Sequence, residues 1–184
     1  MVKHSSDDWP LRPDTPVAAL ALDHEVTLTH PMVIKIYEYW RACRGVRLMP
    51  ERRDITPKGM RSFLPYAGLV EAVQTPQRIE YLTRLAGTAI EQVMGPITGK
   101  LFSDYLTPEV EARWRVTYDD VRATRGPLSA HGRMAFQGRH WLQIETFIGP
   151  LADDGAADSA ELTKFLVGFA AWPAQPPDGP YGPA

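Results

Sequence analysis

Proline constrains this chain more than any other residue type, because it fixes φ and lacks the N–H that interior helix and strand positions use. The sequence has 17 prolines among 184 residues, about 9% against an average of about 5%. The prolines are dense at both ends, in residues 1–22 and residues 173–184. We expect both ends to be flexible tails, flanking an N-terminal helical extension over residues 23–66 and a main domain over residues 67–172.

Composition excludes several classes of protein. The chain has 20 basic and 22 acidic residues, a net charge of −2 and 44% hydrophobic residues, which is typical of one globular domain. Its near-neutral charge disfavours nucleic acid as the main partner, since phosphate binding needs clustered Lys and Arg. The single cysteine excludes an internal disulfide and a Cys-rich metal centre. We find no apolar signal segment and no window near the ~20 apolar residues of a membrane span, so we expect a cytoplasmic protein.

Two long helices are indicated, each by a proline in its first turn and a glycine soon after its last turn. They are predicted over residues 31–44 and residues 108–124, and both carry apolar residues at helical spacing. Shorter helices are expected at residues 57–63, 88–94 and 101–106.

Alternating and continuous apolar runs predict five strands. In residues 128–136 apolar and polar positions alternate, which is typical of a strand with one solvated face. The five predicted strands are residues 68–73, 79–86, 128–136, 141–151 and 163–172. The order of elements favours an α+β fold in which a five-stranded antiparallel sheet has its helices on one face, with an additional N-terminal helix.

Short motifs punctuate the chain: Trp40, Arg44-Gly45, Leu48-Met49-Pro50, Arg53-Asp54-Ile55, Leu64-Pro65, Arg84-Leu85-Ala86-Gly87-Thr88, Gly99-Lys100, Phe102-Ser103-Asp104 and Gly149-Pro150-Leu151. In this pattern, the chain from 30 to 172 resembles a family of short bacterial proteins that consist of a PAS domain behind an N-terminal helix. The resemblance implies a PAS-like sheet whose hollow is roofed by residues 88–124. Members of that family are presumed to be sensory or regulatory.

Large aromatic and charged residues within the predicted domain indicate which side chains would face such a hollow. A helical aromatic stripe is ordinarily core, yet aromatic residues also form walls of apolar ligand pockets. Arg84 and Glu145 lie in apolar runs, where an unpaired buried charge is costly. Three interpretations stay open: both face solvent, they pair with each other, or Arg84 binds an anionic ligand. The candidate ligand-binding residues are Arg84, Phe102, Trp114, Tyr118, Met134, Trp141 and Glu145.

The sequence does not identify a cofactor. PAS domains elsewhere hold haem, flavin or small acids. A covalent flavin adduct needs a thiol in the pocket, and Cys43 lies in the first helix instead. The usual haem ligation takes a histidine from the long helix or its approach, and residues 101–125 contain none. His131, His140 and Glu145 lack the spacing of a metal site, and no catalytic motif is present.

The apolar stripe of the first helix must cover either the core or another chain. The candidate interface residues are Val33, Ile36, Tyr37 and Trp40, which would support self-association as a homodimer or contact with a partner protein. The Arg-rich segment 41–53 also suits an acidic partner protein.

Together these features favour a non-enzymatic sensory module that binds a small molecule or a partner protein and signals through protein–protein contacts. One alternative is an enzyme of the isomerase or hydratase kind, which would need Glu145 or Asp104 inside an apolar pocket with a raised pKa. The other alternative is a structural adaptor with a filled core and no ligand.

Overall fold

Helices and strands occur in separate runs along the chain in a computed structural model that describes residues 17–135, 139, 141–156 and 160–174. The strands are β1 (Ala21–Asp23), β2 (Ala67–Gln74), β3 (Ile79–Ala86), β4 (Leu128–Arg133), β5 (Leu142–Leu151) and β6 (Lys164–Pro173). The helices are α1 (Pro31–Arg44), α2 (Pro57–Met60), α3 (Thr88–Met94), α4 (Phe102–Tyr105) and α5 (Pro108–Thr124). Two 3₁₀ turns, Arg52–Asp54 and Leu64–Tyr66, connect α1 to the sheet.

The six strands form one antiparallel sheet in the order β1-β4-β5-β6-β2-β3. This arrangement confirms the predicted α+β fold with an antiparallel sheet. The longest pairing joins β5 to β6, from Leu142 opposite Pro173 to Leu151 opposite Lys164. A register shift between Leu69 and Val70 interrupts the pairing of β2 with β3, and such a bulge increases the local twist of a sheet.

Strand β1 was not among the five predicted strands. Its residues Ala21 and Leu22 belong to the segment predicted to be a tail, yet they pair with His131 and Ala130 of β4. Leu20, just before the strand, is buried. Three residues are too few to display the alternation by which a strand is recognised. The rest of that predicted tail, residues 1–16, lies outside the described residues, as do residues 175–184 and Phe136 of the third predicted strand.

The helix boundaries follow from local chemistry at their ends. In α1, His30 is the N-cap and its ring accepts a hydrogen bond from the N–H of Met32 at 3.3 Å. Gly45 follows the helix with a φ of 57°, a conformation that glycine adopts without steric cost. Helix α5 ends at Arg125, which is left-handed with a φ of 54°. The short helices end earlier than predicted, α2 at Met60 and α4 at Tyr105.

The grouped helices lie on one face of the sheet as expected, and the additional N-terminal helix covers the opposite face. Helices α3, α4 and α5 lie on the face that we call inner, where Tyr118 of α5 packs on Phe165 of β6. Helix α1 lies on the opposite, outer face, where Trp40 and Tyr37 pack on Phe147 of β5. Because apolar residues of β5 and β6 are buried on both faces, their sequences show no clean alternation.

Charged residues fasten α5 to strand β3. Arg78 contacts Glu80 at 2.7 Å and Glu111 at 3.3 Å, and Arg115 pairs with Glu111 and donates to the carbonyl of Ile79 at 2.7 Å. Both glutamates are buried, and buried carboxylates need such partners. The network holds the long helix over the inner face of the sheet.

Candidate functional site

A cavity lies between the inner face of the sheet and helices α3–α5. Its volume is about 60 Å³. The wall is mostly apolar and includes Ile90, Phe102, Leu106, Trp114, Val167 and Phe169. The roof comes from α3, α4 and α5 and the residues between them, within the range 88–124 that the sequence assigns to it.

Hydroxyl groups supply the polar part of the cavity wall. Thr83 Oγ1 and the Tyr105 hydroxyl lie 3.2 Å apart, and Thr146 Oγ1 donates to the carbonyl of Gly168 at 2.8 Å. Tyr118 is buried, and its hydroxyl makes no hydrogen bond to any described residue. Burial raises the pKa of Tyr105 to about 12 and that of Tyr118 well above its ordinary value. Both phenols therefore stay protonated at neutral pH and can donate hydrogen bonds.

Charge is absent from the part of this wall that the described residues form. A carboxylate or phosphate of a ligand would have no cation here to offset its desolvation. The volume is also small, because pockets for drug-sized ligands enclose roughly 300–1,000 Å³. The cavity in this conformation therefore suits a neutral molecule of few atoms.

Three of the predicted ligand-binding residues meet at this cavity, namely Phe102, Trp114 and Tyr118. Two others lie elsewhere. Met134 is buried just after β4, and its N–H donates to the carbonyl of Leu142 at 2.8 Å. Trp141 precedes β5 and is 40% exposed, so neither residue belongs to the wall.

Arg84 is not a cavity residue. It is exposed and pairs with Glu71 of the neighbouring strand β2. Thr83, the residue before it, faces the cavity, and successive side chains of a strand point to opposite faces. Of the three interpretations of Arg84, the structure shows the solvent-facing one, with Glu71 in place of Glu145 as its partner.

Glu145 also lies outside the cavity, on the outer face beneath α1. It is completely buried, and its carboxylate accepts from Thr29 N and Thr29 Oγ1 at 2.7 Å each and from His30 N at 2.8 Å. His131 Nδ1 lies 3.8 Å away. The carboxylate thus binds the backbone that leads into α1, a favourable position for negative charge at a helix N-terminus.

The stripe of α1 covers this chain's own sheet. Val33, Ile36 and Trp40 have no exposed surface, and Trp40 Nε1 donates to the carbonyl of Pro150 at 2.9 Å. Tyr37 packs on Phe147. Of the two interpretations of the stripe, the structure shows the core, so these four residues do not form an open interface in this conformation.

Sequence reasoning missed the hydroxyl residues of the wall, Thr83, Tyr105 and Thr146. A signal was present for the first of them. Tyr81, Thr83 and Leu85 alternate with Glu80, Leu82 and Arg84, which predicts that the hydroxyl and the guanidinium face opposite ways. Tyr105 gave no such signal, because α4 is a single turn with no periodicity to analyse.

The catalytic alternative depended on two carboxylates. Glu145 binds the start of α1, and Asp104 accepts from the N–H of Leu101 at 2.8 Å as a cap of α4. Neither is part of the cavity wall. The described residues contain no cluster of three metal-binding side chains, and His140 lies outside them. Cys43 is on α1, where its thiol contacts the carbonyl of Asp54 at 3.6 Å and burial raises its pKa.

None of the helices within the described ranges has the length and apolar character that crossing a bilayer requires.

The fold is thus an α+β domain in which an antiparallel sheet and the helices packed over it enclose a cavity. The model of the PAS domain family matches residues 28–163. The chain belongs to the PAS domain family, and the resemblance inferred from its motifs is confirmed.

Comparison with solved and curated proteins adds two findings. An RNA-binding light-oxygen-voltage receptor is similar at 15% identity and a TM-score of 0.43, over 84% of this chain and 39% of the receptor chain. The chain thus spans well under half of that protein. None of the curated proteins compared with the chain matches it.

Proposed function

We propose that this chain is a sensory module that holds a small uncharged molecule in the cavity and signals its presence through contacts with another protein. The observation that carries the proposal is an apolar cavity bordered by Tyr118, a buried residue whose hydroxyl makes no hydrogen bond to any described residue. A phenol donor in an apolar wall gains free energy when an acceptor binds it. A ligand with one acceptor atom would therefore bind in preference to a purely apolar one.

Signalling requires that the ligand bind two conformations with different affinity. The cavity wall includes Thr146 of β5, and the adjacent residue of that strand, Glu145, binds the start of α1. This adjacency supports α1 as the element whose position responds to the ligand.

The first test is native mass spectrometry of freshly purified protein, which reports a retained small molecule and the oligomeric state together. The second is a calorimetric titration with phenol as the neutral probe, compared with benzoate as an anionic probe that has the same ring. We expect phenol to bind and benzoate to bind at least tenfold more weakly, since the described residues of the wall include no cation.

The Tyr118→Phe variant isolates the hydroxyl. We expect it to bind phenol about fivefold to tenfold more weakly, the equivalent of about 1 kcal/mol for one hydrogen bond. Without a ligand its stability should equal or exceed that of the parent chain, because the hydroxyl has no described partner to lose. Tyr37→Phe on the outer face is the matched control. Equal affinity for phenol and benzoate, or no binding of either, would contradict the proposal.

A further inference from the structure

The loop that follows α1 exposes apolar side chains on either side of an exposed arginine. Val46 is fully exposed and Leu48 is 47% exposed. Arg47 between them donates to the carbonyl of Cys43 at 2.6 Å and to Asp54 Oδ2 at 2.6 Å. These two hydrogen bonds hold the exposed Arg47 against the end of α1 and leave Val46 and Leu48 uncovered on either side of it. Exposed aliphatic groups that lie close together add apolar area that a binding partner could cover.

Two further arginines stand beside this loop without a carboxylate partner. Arg41 and Arg44 occupy the last turn of α1, and no acidic group of the described residues lies within ion-pair distance of either. The guanidinium carbon of Arg41 lies 5.6 Å from the centre of the Tyr37 ring, and that of Arg44 lies 5.5 Å from the centre of the Trp40 ring. Stacking on a ring restrains a guanidinium and leaves its N–H edge free to donate.

The charge around the loop is the reverse of the charge of the chain. Residues 41–54 contain five arginines and two acidic residues, whereas the whole chain has a net charge of −2. Arg44 also has a buried Nε without a hydrogen-bond partner in the described structure. Positive charge, restrained donors and exposed aliphatic groups therefore occur together at one end of α1.

We propose that this end of α1 docks an acidic surface of another protein. Two carboxylates of the partner would bind Arg41 and Arg44, and an apolar side chain between them would cover Val46 and Leu48. Arginines three positions apart in a helix lie about 5–6 Å apart at Cβ, so the fitting partner presents carboxylates one helical turn apart. This surface would be the output surface of the sensory function proposed above. Only that role depends on the sensory function.

The details favour a protein over an anionic membrane as the occupant. Bidentate pairing with a carboxylate requires a directed, pre-positioned fork, which the two ring contacts provide. Membrane anchoring instead relies on a broad apolar face and on diffuse charge, and this loop offers two aliphatic side chains. Arginine is also enriched at the energetic centres of protein interfaces.

The test places a photoreactive benzophenone amino acid at position 46 of the full chain, in cells of the source organism. The matched control places it at position 116, where Val116 of α5 is also exposed. We expect one heterologous protein to crosslink from position 46 and not from position 116. Peptide mapping should locate the crosslink next to at least two carboxylates of that partner.

Charge exchange then decides whether the arginines recognise those carboxylates. The double variant R41E/R44E should lower the crosslink yield, and the affinity of the purified pair, at least tenfold. Changing the mapped carboxylates to arginine should restore binding to the double variant. Lys58→Glu, at an exposed position on α2, should leave both readouts unchanged. Thermal unfolding of each variant confirms that it is folded.

Several outcomes would overturn the inference. These are a crosslink to a second copy of this chain, a mapped segment without carboxylates, and failure of the charge exchange to restore binding. Cosedimentation with phosphatidylglycerol vesicles that Val46→Asp abolishes, together with the absence of a protein crosslink, would assign the surface to membranes instead. Phenol titration of the R41E/R44E variant separates the two proposals, since loss of docking leaves cavity binding intact.

Discussion

A single buried carboxylate determines where helix α1 meets the sheet. Glu145 has no exposed surface and accepts three hydrogen bonds from Thr29 and His30. A buried charge is tolerated only when it is bonded in this way. The residue therefore acts as a fastening point between β5 and the chain entering α1.

Replacing Glu145 by alanine should destabilise the protein by about 2–4 kcal/mol, because three donors lose their acceptor and two of them are backbone N–H groups. Urea unfolding followed by tryptophan fluorescence measures this change. Trp40 is a reporter on α1, the helix whose start Glu145 binds. Glu25→Ala, at an exposed position, is the control and should shift stability by less than about 0.5 kcal/mol. A loss below 1 kcal/mol for Glu145→Ala would contradict the assigned role.

Individual roles were the hardest part to predict from sequence. Arg84 and Glu145 were recognised as unusual, because each charge stands in an apolar run. Their partners could not be inferred, since Glu145 binds residues more than one hundred positions earlier in the chain. Alternation along β3 predicts that Arg84 points away from the cavity. The pairing with β2 skips Arg84 itself, however, and such a bulge makes an alternation pattern uncertain until the pairing is known.

At the scale of elements, α1 lies close to the sheet because two strand positions lack side chains. A Cβ on Gly149 would lie 2.6 Å from Phe147 Cζ and from the Trp40 ring. A Cβ on Gly168 would lie 3.2 Å from side-chain carbons of Val33 and Ile36. Both neighbours of Gly149 are fully buried and have no room to move aside.

Gly149→Ala should therefore destabilise the chain by about 2–3 kcal/mol, the typical cost of overpacking a filled core. Gly126→Ala is the matched control, because a Cβ there would meet nothing closer than 3.9 Å. Denaturant unfolding of both variants gives the comparison. Equal stability of the two variants would show that α1 packs less tightly than described.

Elements with clear end signals were predicted to the residue, and those without were not. Helices 31–44, 88–94 and 108–124 agree with the structure at both ends, since proline, threonine and glycine mark their limits. The α2 and α4 segments were overextended, because a single turn has no periodicity. The cavity roof was predicted correctly in range. The hydroxyl groups of Thr83 and Thr146 were missed because they lie on strands whose mutual register the sequence alone does not specify.

At the scale of the whole molecule, buried tyrosines make the folded state sensitive to alkaline pH. The phenols of Tyr81, Tyr105 and Tyr118 have raised pKa values, mainly through burial, and for Tyr105 the pKa is about 12. An unfolded tyrosine ionises near pH 10. Between about pH 10 and 12 the unfolded chain therefore binds fewer protons than the folded chain, so stability falls as pH rises.

Urea unfolding at pH 8, 9, 10 and 11 should show stability nearly constant to about pH 9.5 and declining above it. Absorbance at 295 nm follows phenolate formation and should lag behind that of free tyrosine. The Tyr105→Phe variant should show a shallower decline, which separates this effect from lysine deprotonation. A variant curve parallel to that of the parent chain would exclude Tyr105 as a contributor.

Two consecutive residues of β5 face opposite sides of the sheet. Thr146 lines the cavity. Glu145, the residue before it, faces the opposite side and accepts a hydrogen bond from the start of α1. Under the proposed sensory function, a displacement of Thr146 by a ligand would reach the start of α1 through a single peptide bond. Coupling between the two faces would then need no series of intermediate side chains.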